Sequence, residues 1–350
     1  MTTSTSETSS ASSRQWWRGL ILVLLATLFL SIQNVLVRIV QYNGKYPLKI
    51  LGGLIPSNIY VTPDPTNPLQ VPLLVLLVRI AFVVPLLWTV LPVLRPGSWE
   101  QGISVLRGYN PRLLIKVIAA GVLLFLSQTG TYLAVSIVGP ATALTVFFIY
   151  PVITTLLAWK LFGDRPSWKQ WIAIGLIISG CTWVLFSTIP GAKFSNDLVG
   201  IISAAFAGIV FAVEGIIAQS CFNKINPATF TGLIFTVEFV VLLFVCLAFI
   251  HINLSQGLIV MGLLLCFATL LGYLFNNFGI KSIGAASTAI IGSSGPAVTA
   301  ILAVVILNDK IPSWEAIFLV TVGVVLMNLE KIKKKPAALA VANEVVVEEE

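Results

Sequence analysis

The sequence predicts an all-α polytopic membrane protein with ten transmembrane helices arranged as two inverted five-helix repeats. Three observations predict this fold class: the composition, the length of the apolar stretches and an internal repeat. Of the 350 residues, 57% are hydrophobic and 10% are charged, against roughly a quarter charged in an ordinary soluble domain. This composition excludes a water-soluble globular protein.

The chain begins with a polar segment rich in Ser and Thr, and we expect residues 1–16 to form a disordered tail because they bury too little apolar surface. Arg14 and Arg18 then precede an apolar run from 19 to 40. This run is too long for a signal peptide and lacks an A-x-A cleavage site, so it predicts a retained helix. Residues 41–70 form a long Pro-rich connection, which fits either a spacer or a lid over the outer mouth.

Ten apolar stretches are long enough to span a bilayer, which takes about 20 mostly apolar residues. In hydrocarbon each stretch must satisfy its own backbone hydrogen bonds, and these runs are too long and too uniformly apolar for barrel strands. We therefore expect helices 1 to 10 over residues 19–40, 71–94, 113–136, 140–160, 169–189, 198–220, 228–252, 257–280, 286–307 and 313–330.

The Lys and Arg residues between these stretches predict the orientation. With a cytoplasmic N-terminus, fifteen of them lie on the inside and four on the outside, which is the positive-inside pattern. Because the number of helices is even, both termini are expected in the cytoplasm. The short polar N-terminal tail fits a bacterial inner membrane, and a plastid or other organelle membrane is the alternative.

Several classes of function are excluded. The net charge of +7 comes from residues between apolar stretches or at the chain ends, so it indicates topology rather than nucleic-acid binding. The cysteines Cys181, Cys221, Cys246 and Cys266 are far apart and His251 is the one histidine, so we predict no metal site. We find no catalytic or nucleotide-binding motif and predict neither an enzyme nor a cofactor.

An internal repeat with an offset of 145 residues divides the chain. It matches Gly139 with Gly284, Ala141 with Ala286, Pro151 with Pro296, Thr154 with Thr299 and Asp164 with Asp309. We expect the repeats over 17–190 and 191–332, followed by a disordered tail at 333–350. Because each half holds an odd number of helices, the halves are inverted, as in secondary transporters. A duplicated scaffold that does not transport is the alternative.

Two segments carry a family resemblance: ATALTVFFIYPVITTLLAWKLFGDRPSW at 141–168 and ASTAIIGSSGPAVTAILAVVILNDKIPSW at 286–314. Each has small residues at the helix start, a proline within the helix and an acidic-basic pair before the next helix. They resemble the paired motif of the drug/metabolite transporter superfamily, of the EamA kind. The usual acidic residue is Glu, where this chain has Asp164 and Asp309. The resemblance implies ten helices, cytoplasmic termini and carriage of small metabolites.

We expect four charged residues inside the bilayer: Arg38, Arg79, Glu214 and Glu238. A charge at the centre of a membrane helix costs a few kcal/mol on insertion scales, so such residues are candidates for function. One interpretation is that Arg79, and also Arg38, binds a substrate carboxylate or phosphate, while Glu214 or Glu238 binds a coupling proton or cation. The other is that they pair with one another, or that Arg38 extends to the interface.

Uncharged groups complete the predicted substrate pathway. Pro151 and Pro296 each leave a backbone carbonyl free within a helix and predict hinges or substrate contacts. The other candidates are Gln33, Asn34, Gln128, Asn276, Tyr150 and Ser293, supported by Thr131, Asn277, Phe147 and Tyr273. Hydrogen bonding between helices and simple packing are the alternatives for these side chains.

The predicted function is secondary transport of a small polar metabolite or an amino-acid-like solute by alternating access, in the direction of export. A non-transporting membrane receptor or scaffold subunit is the alternative, and no segment offers the polar ring of a channel filter. The expected partners are a small-molecule substrate and the lipid bilayer, with no nucleic acid. A monomer and a homodimer both remain open.

Overall fold

The computed structural model of the chain describes residues 4–41, 67–162, 165–188, 194–221, 224–249, 256–292, 294–307, 313–323 and 325–326. Most of the long connection at 41–70, the tail at 333–350, and Ser293, Asp164 and Asp309 lie outside these residues. The helices are α1 Ser4–Gln41, α2 Gln70–Leu94, α3 Ser98–Leu106, α4 Pro111–Val138, α5 Pro140–Phe147, α6 Tyr150–Phe162, α7 Trp168–Thr188, α8 Phe194–Cys221, α9 Pro227–Phe249, α10 Gln256–Gly292, α11 Gly295–Leu302 and α12 Trp314–Gly323.

The described residues form helices and connections, with no β-strand among them. Seven helical segments in the described ranges are long and apolar enough to cross a membrane, and one of them, Pro140–Leu161, comprises α5 and α6 together. Gly295–Leu307 and Trp314–Gly323 are shorter apolar helices. This confirms the all-α, multi-pass prediction. The arrangement as ten helices in two inverted repeats stays a prediction.

Two elements in the first third of the chain, the beginning of α1 and the short helix α3, differ from the expectation. The first helix begins at Ser4, within the segment that we expected to be disordered. Elongating an existing helix fixes one residue for each hydrogen bond gained, so the apolar run that follows can extend the helix backwards. The short helix α3 was not predicted; it begins after Gly97, whose φ is 86°, and its Gly102 packs closely against the Trp88 ring.

The predicted fourth helix is interrupted. It divides into α5, which ends at Phe147, and α6, which begins at Tyr150. In the second half α10 ends at Gly292 and α11 begins at Gly295, so both breaks fall at the same position of the 145-residue repeat. Each precedes a proline, Pro151 or Pro296, which removes a helical N–H and crowds the carbonyl four residues earlier.

The predicted boundary between helices 8 and 9 is wrong, because α10 runs without interruption from Gln256 to Gly292. The matching position of the first half does break, between α4 and α5, where Gly139 has a φ of 81° and Pro140 follows. The repeat replaces Pro140 with Ala285. An alanine has the N–H that a proline lacks and is the best helix former, so the helix continues there.

Arg38 stabilises the break between α4 and α5. Without an N–H, Pro140 leaves the carbonyl of Ser136 without its helical partner. The Arg38 Nη1 atom donates to this carbonyl and, at 2.7 Å, to that of Val135. A cation at a helix C-terminus is also favoured by the helix dipole. Arg38 therefore serves the end of α4 in this conformation.

The long helices α1, α4 and α8 pack against the short helices α5, α6 and α11 at the two breaks. Helix α1 packs on α10, α4 packs on α8 and α9, and α2 packs on α9 and α10. Helices α5 and α11 meet at the alanines Ala141, Ala297 and Ala300. These small side chains let the two short helices approach closely, so the two breaks lie near each other inside the bundle.

Candidate functional site

A cavity of about 370 Å³ lies between α1, α4, α5, α6, α8, α10 and α11. Both helix breaks contribute to its wall, through Phe147, Phe148 and Tyr150 on one side and Gly292 and Gly295 on the other. No charged side chain lines it among the described residues. Its volume lies within the range of about 300–1,000 Å³ that is usual for small-molecule sites.

One wall of the cavity is aromatic. The rings of Phe147, Phe148, Tyr150 and Phe211 contact one another, with centroids 5.2 to 6.1 Å apart. Their tilted and edge-on arrangements are the favourable ones for aromatic pairs. Tyr150 is placed here because it begins α6 directly after the break.

The remaining walls combine apolar side chains with amides and hydroxyls. Gln33 and Asn34 come from α1, Gln128 and Tyr132 from α4, and Asn276 from α10. Asn34 donates to the Leu30 carbonyl of its own helix at 3.0 Å. Gln128 and Tyr132 are four residues apart, which places them on the same face of α4. These groups offer a solute both donors and acceptors of hydrogen bonds.

A buried ion pair lies directly behind this wall. Arg79 on α2 and Glu238 on α9 are each fully buried, and Arg79 Nη2 lies 3.7 Å from Glu238 Oε1. Gln128 bridges the pair: its Oε1 accepts from Arg79, and its Nε2 donates to Glu238 Oε2 at 3.1 Å. Arg79 Nη1 also donates to the Tyr132 hydroxyl at 2.7 Å. The pair thus contacts the cavity through Gln128 and Tyr132.

The hydrogen bonds continue from Tyr132 to two further helices. Gln33 Nε2 donates to the Tyr132 hydroxyl at 3.4 Å, and the Thr269 hydroxyl donates to Gln33 Oε1 at 2.7 Å. Five helices, α1, α2, α4, α9 and α10, are therefore joined by one chain of buried polar side chains. Arg79 Nε and Glu238 Oε1 have no hydrogen-bond partner among the described residues, so this network is partly satisfied.

The structure places the predicted pathway residues in two groups. Gln33, Asn34, Gln128, Asn276 and Tyr150 line the cavity, together with Thr131, Phe147 and Tyr273. Arg79, Pro151 and Pro296 do not line it: Arg79 lies behind the wall, and each proline follows a residue that does line it.

The two glutamates have different surroundings, and neither lines the cavity. Glu238 is held by Arg79 and Gln128, whereas Glu214 on α8 is buried with 6% of its surface exposed. The sequence interpretation in which intramembrane charges pair with one another describes Arg79 and Glu238 in this conformation. It does not describe Glu214.

Sequence reasoning missed several lining residues, among them Tyr132, Phe148, Phe211 and Thr299. Tyr132 follows Gln128 by four residues, and this helical spacing was the available signal. The Phe residues gave no signal, because a phenylalanine in an apolar run is ordinary packing material. No group of three or more His, Cys, Asp or Glu that could hold a metal ion occurs in the described ranges.

Comparison with known proteins decides the family. The EamA-like transporter family model matches the chain twice, over residues 64–186 and 198–329. The chain belongs to the EamA-like transporter family. The EamA-like chain is also 33% identical over 325 residues to the "Uncharacterized transporter sll1319" of Synechocystis sp., which covers 90% of this chain and 94% of that relative. The protein is therefore a multi-pass membrane transporter, as its resemblance implied.

Solved structures are similar to this EamA-like transporter in fold, and one of them is a crystal structure that matches most of the chain. It has a TM-score of 0.53 and 16% sequence identity, and the match covers 90% of this chain and 96% of that one. At this identity the similarity concerns the fold alone.

Proposed function

We propose that this EamA-like transporter is a secondary carrier that exports a small polar metabolite or an amino-acid-like solute by alternating access. The observation that carries the proposal is the cavity of about 370 Å³ into which both helix breaks open. Discontinuous helices that meet at a central site are the common construction of substrate sites in secondary transporters.

The helix breaks supply partial charges of both signs. Helices α5 and α10 present C-terminal ends to the cavity, and α6 and α11 present N-terminal ends. Free carbonyls at a C-terminus attract donors such as an ammonium group, and free N–H groups at an N-terminus attract acceptors such as a carboxylate. Together with the amides of Asn34 and Asn276, these ends favour a solute that is neutral overall or zwitterionic.

The Arg79–Glu238 pair supports the same substrate class. Because Glu238 already neutralises Arg79, the pair brings no net charge to the wall. A solute with a full negative charge would have to compete with Glu238 for the guanidinium. We therefore assign Gln128 and Tyr132, rather than Arg79, to contact the solute in this conformation.

Alternating access is supported by the matched positions of the two breaks. Because each repeat has a helix break at the same point, each half has one candidate hinge beside the cavity. In an inverted pair of repeats, exchanging the conformations of the two halves would open the cavity to the opposite side. We also propose that the protein lies in the inner membrane of a cell with both termini in the cytoplasm. This orientation would put fifteen Lys and Arg residues on the cytoplasmic side and four on the other side.

Ligand binding tests the proposal first. The purified protein is melted in detergent against amino acids, nucleosides, sugar phosphates and quaternary amines; a ligand at a hundred times its dissociation constant adds about 2.7 kcal/mol of apparent stability. We expect neutral or zwitterionic solutes to raise the melting temperature, and Asn276→Leu to remove the effect. Ser282→Ala, on the same helix but outside the cavity, is the control and should retain it.

Flux then separates a carrier from a receptor or scaffold. The bound solute is loaded into proteoliposomes and into cells, and its exit is followed. Export from cells that is lost in Asn276→Leu supports the proposal. Binding without flux in either system would contradict it and favour a receptor, and stabilisation by fully anionic solutes alone would contradict the substrate class.

A further inference from the structure

We propose that Glu214 is the site that binds and releases a coupling proton, while Glu238 remains ionised in its pair with Arg79. This inference rests on the proposed carrier function and adds its energy source. It distinguishes two carboxyl groups that look equivalent in the sequence.

The first observation is that Glu214 is buried without a partner. Glu214 belongs to α8, and 6% of the residue is exposed. Neither of its carboxyl oxygens has a hydrogen-bond or ion-pair partner in the part of the chain that the structure describes. Glu238, by contrast, has Arg79 and Gln128 as partners.

The second observation is that, among the described residues of the neighbouring helices, no cation contacts Glu214. Helices α4, α5, α6 and α7 pack against α8. Helix α5 has no titratable residue, and the other three have Arg112, Lys116, Tyr132, Tyr150, Lys160, Lys169 and Cys181. Lys116 donates to Ser220 at 2.9 Å, and Tyr132 accepts from Arg79.

An ionised carboxylate in this position would be unpaired and largely removed from water, which is unfavourable. The carboxyl group therefore carries a proton in this conformation. Releasing it, from COOH to COO⁻ and H⁺, requires a conformation in which the group reaches water. A group that can be ionised in one conformation and must be neutral in another has the property that proton coupling needs.

The third observation connects Glu214 to the cavity. It lies three residues after Phe211, on the same face of α8. The Phe211 ring forms part of the aromatic wall and packs on Tyr150 and Phe147, which flank the break between α5 and α6. A movement of this break with solute would therefore act on the turn of α8 that carries Glu214.

Two measurements test the proton site without a known substrate. Infrared difference spectroscopy during a pH titration detects the carbonyl stretch of a protonated carboxyl group. Dicyclohexylcarbodiimide forms a covalent adduct with protonated carboxyl groups in apolar surroundings, and mass spectrometry locates it. We expect the neutral-pH infrared band to disappear in Glu214→Gln but to persist in Glu238→Gln, and at least tenfold more adduct on Glu214 than on Glu238.

The outcomes separate this inference from the carrier proposal. A neutral-pH spectrum without a protonated carboxyl band, or a band that is lost only in Glu238→Gln, overturns the inference whether or not the adduct forms. Solute flux that does not respond to an imposed pH gradient overturns the coupling role and leaves the carrier intact. Ligand binding in the melting assay is independent of these results.

Discussion

Replacing Arg79 with methionine removes the cation from a fully buried pair and leaves the Glu238 carboxyl group without a charge partner. We expect a large loss of stability, because removing one partner of a buried ion pair costs about 3–5 kcal/mol. Arg79 also donates to Tyr132 and Gln128, so the substitution weakens the wall of the cavity as well.

The size of the loss depends on pH in a calculable way. The variant can avoid a buried, unpaired carboxylate by folding with Glu238 protonated. Protonating a glutamate with a solution pKa of about 4.3 costs about 3.7 kcal/mol at pH 7, or about 1.4 kcal/mol for each pH unit. The same step costs about 1 kcal/mol at pH 5. The deficit of Arg79→Met should therefore be largest at neutral pH and shrink as the pH falls towards 4.3.

The matched variant is Glu238→Met, which leaves Arg79 without its carboxylate. An arginine stays protonated at any accessible pH, so the deficit of this variant should be the same at pH 7 and pH 5. The double variant Arg79→Met/Glu238→Met removes both charges. Replacing a buried pair with hydrophobic residues is often neutral or stabilising, so we expect it within about 2 kcal/mol of wild type.

The assay is the free energy of unfolding, measured by titration with sodium dodecyl sulfate in mixed micelles at the two pH values. Equal deficits for Arg79→Met at pH 7 and pH 5 would refute the protonation argument. A double variant whose loss equals the sum of the two single losses would show that the two side chains do not interact.

Two further predictions concern the helix breaks. A Cβ added at Gly208 would collide with the Phe147 carbonyl oxygen, whereas one at Gly215 on the same helix has nothing within 4 Å. Gly208→Ala should therefore lower the free energy of unfolding by about 1–3 kcal/mol, and Gly215→Ala should leave it unchanged or raise it by up to about 1 kcal/mol. Thermal unfolding in detergent measures both changes. Arg38→Met should lower the free energy of unfolding by about 1.5–3 kcal/mol. The loss should be smaller in a Pro140→Ala background, where the new N–H of residue 140 can donate to the Ser136 carbonyl that Arg38 now hydrogen-bonds. Equal losses in both backgrounds would contradict this role.

The sequence was sufficient for the helical class and for the positions of the two matched breaks. Long apolar runs admit one backbone solution in a bilayer, and a proline within a helix has a predictable local effect. The continuity of α10 was not foreseen, although Ala285 stands where the first half has Pro140. The repeat favours a boundary at the same point of both halves, whereas the replacement of Pro140 by Ala285 removes that boundary from the second half.

The site was predictable in its polar members and not in its pairing. Gln33, Asn34, Gln128 and Asn276 were recognisable because amides are costly in contact with lipid, and all four line the cavity. That Arg79 meets a carboxylate on α9 depends on which helices are neighbours. Helix adjacency is decided by packing between distant segments, and no local pattern records it.

The difference between α10 and the α4–α5 segment has an energetic consequence for a carrier that exchanges the roles of its halves. One half bends at Gly139 and Pro140, and the other continues as a helix of 37 residues at the equivalent point. In the alternating-access cycle that we propose, the two end states are therefore not mirror images, and their free energies differ even when solute and ion concentrations are equal on both sides. Since each 1.4 kcal/mol is a tenfold ratio, the empty carrier would rest facing one side of the membrane.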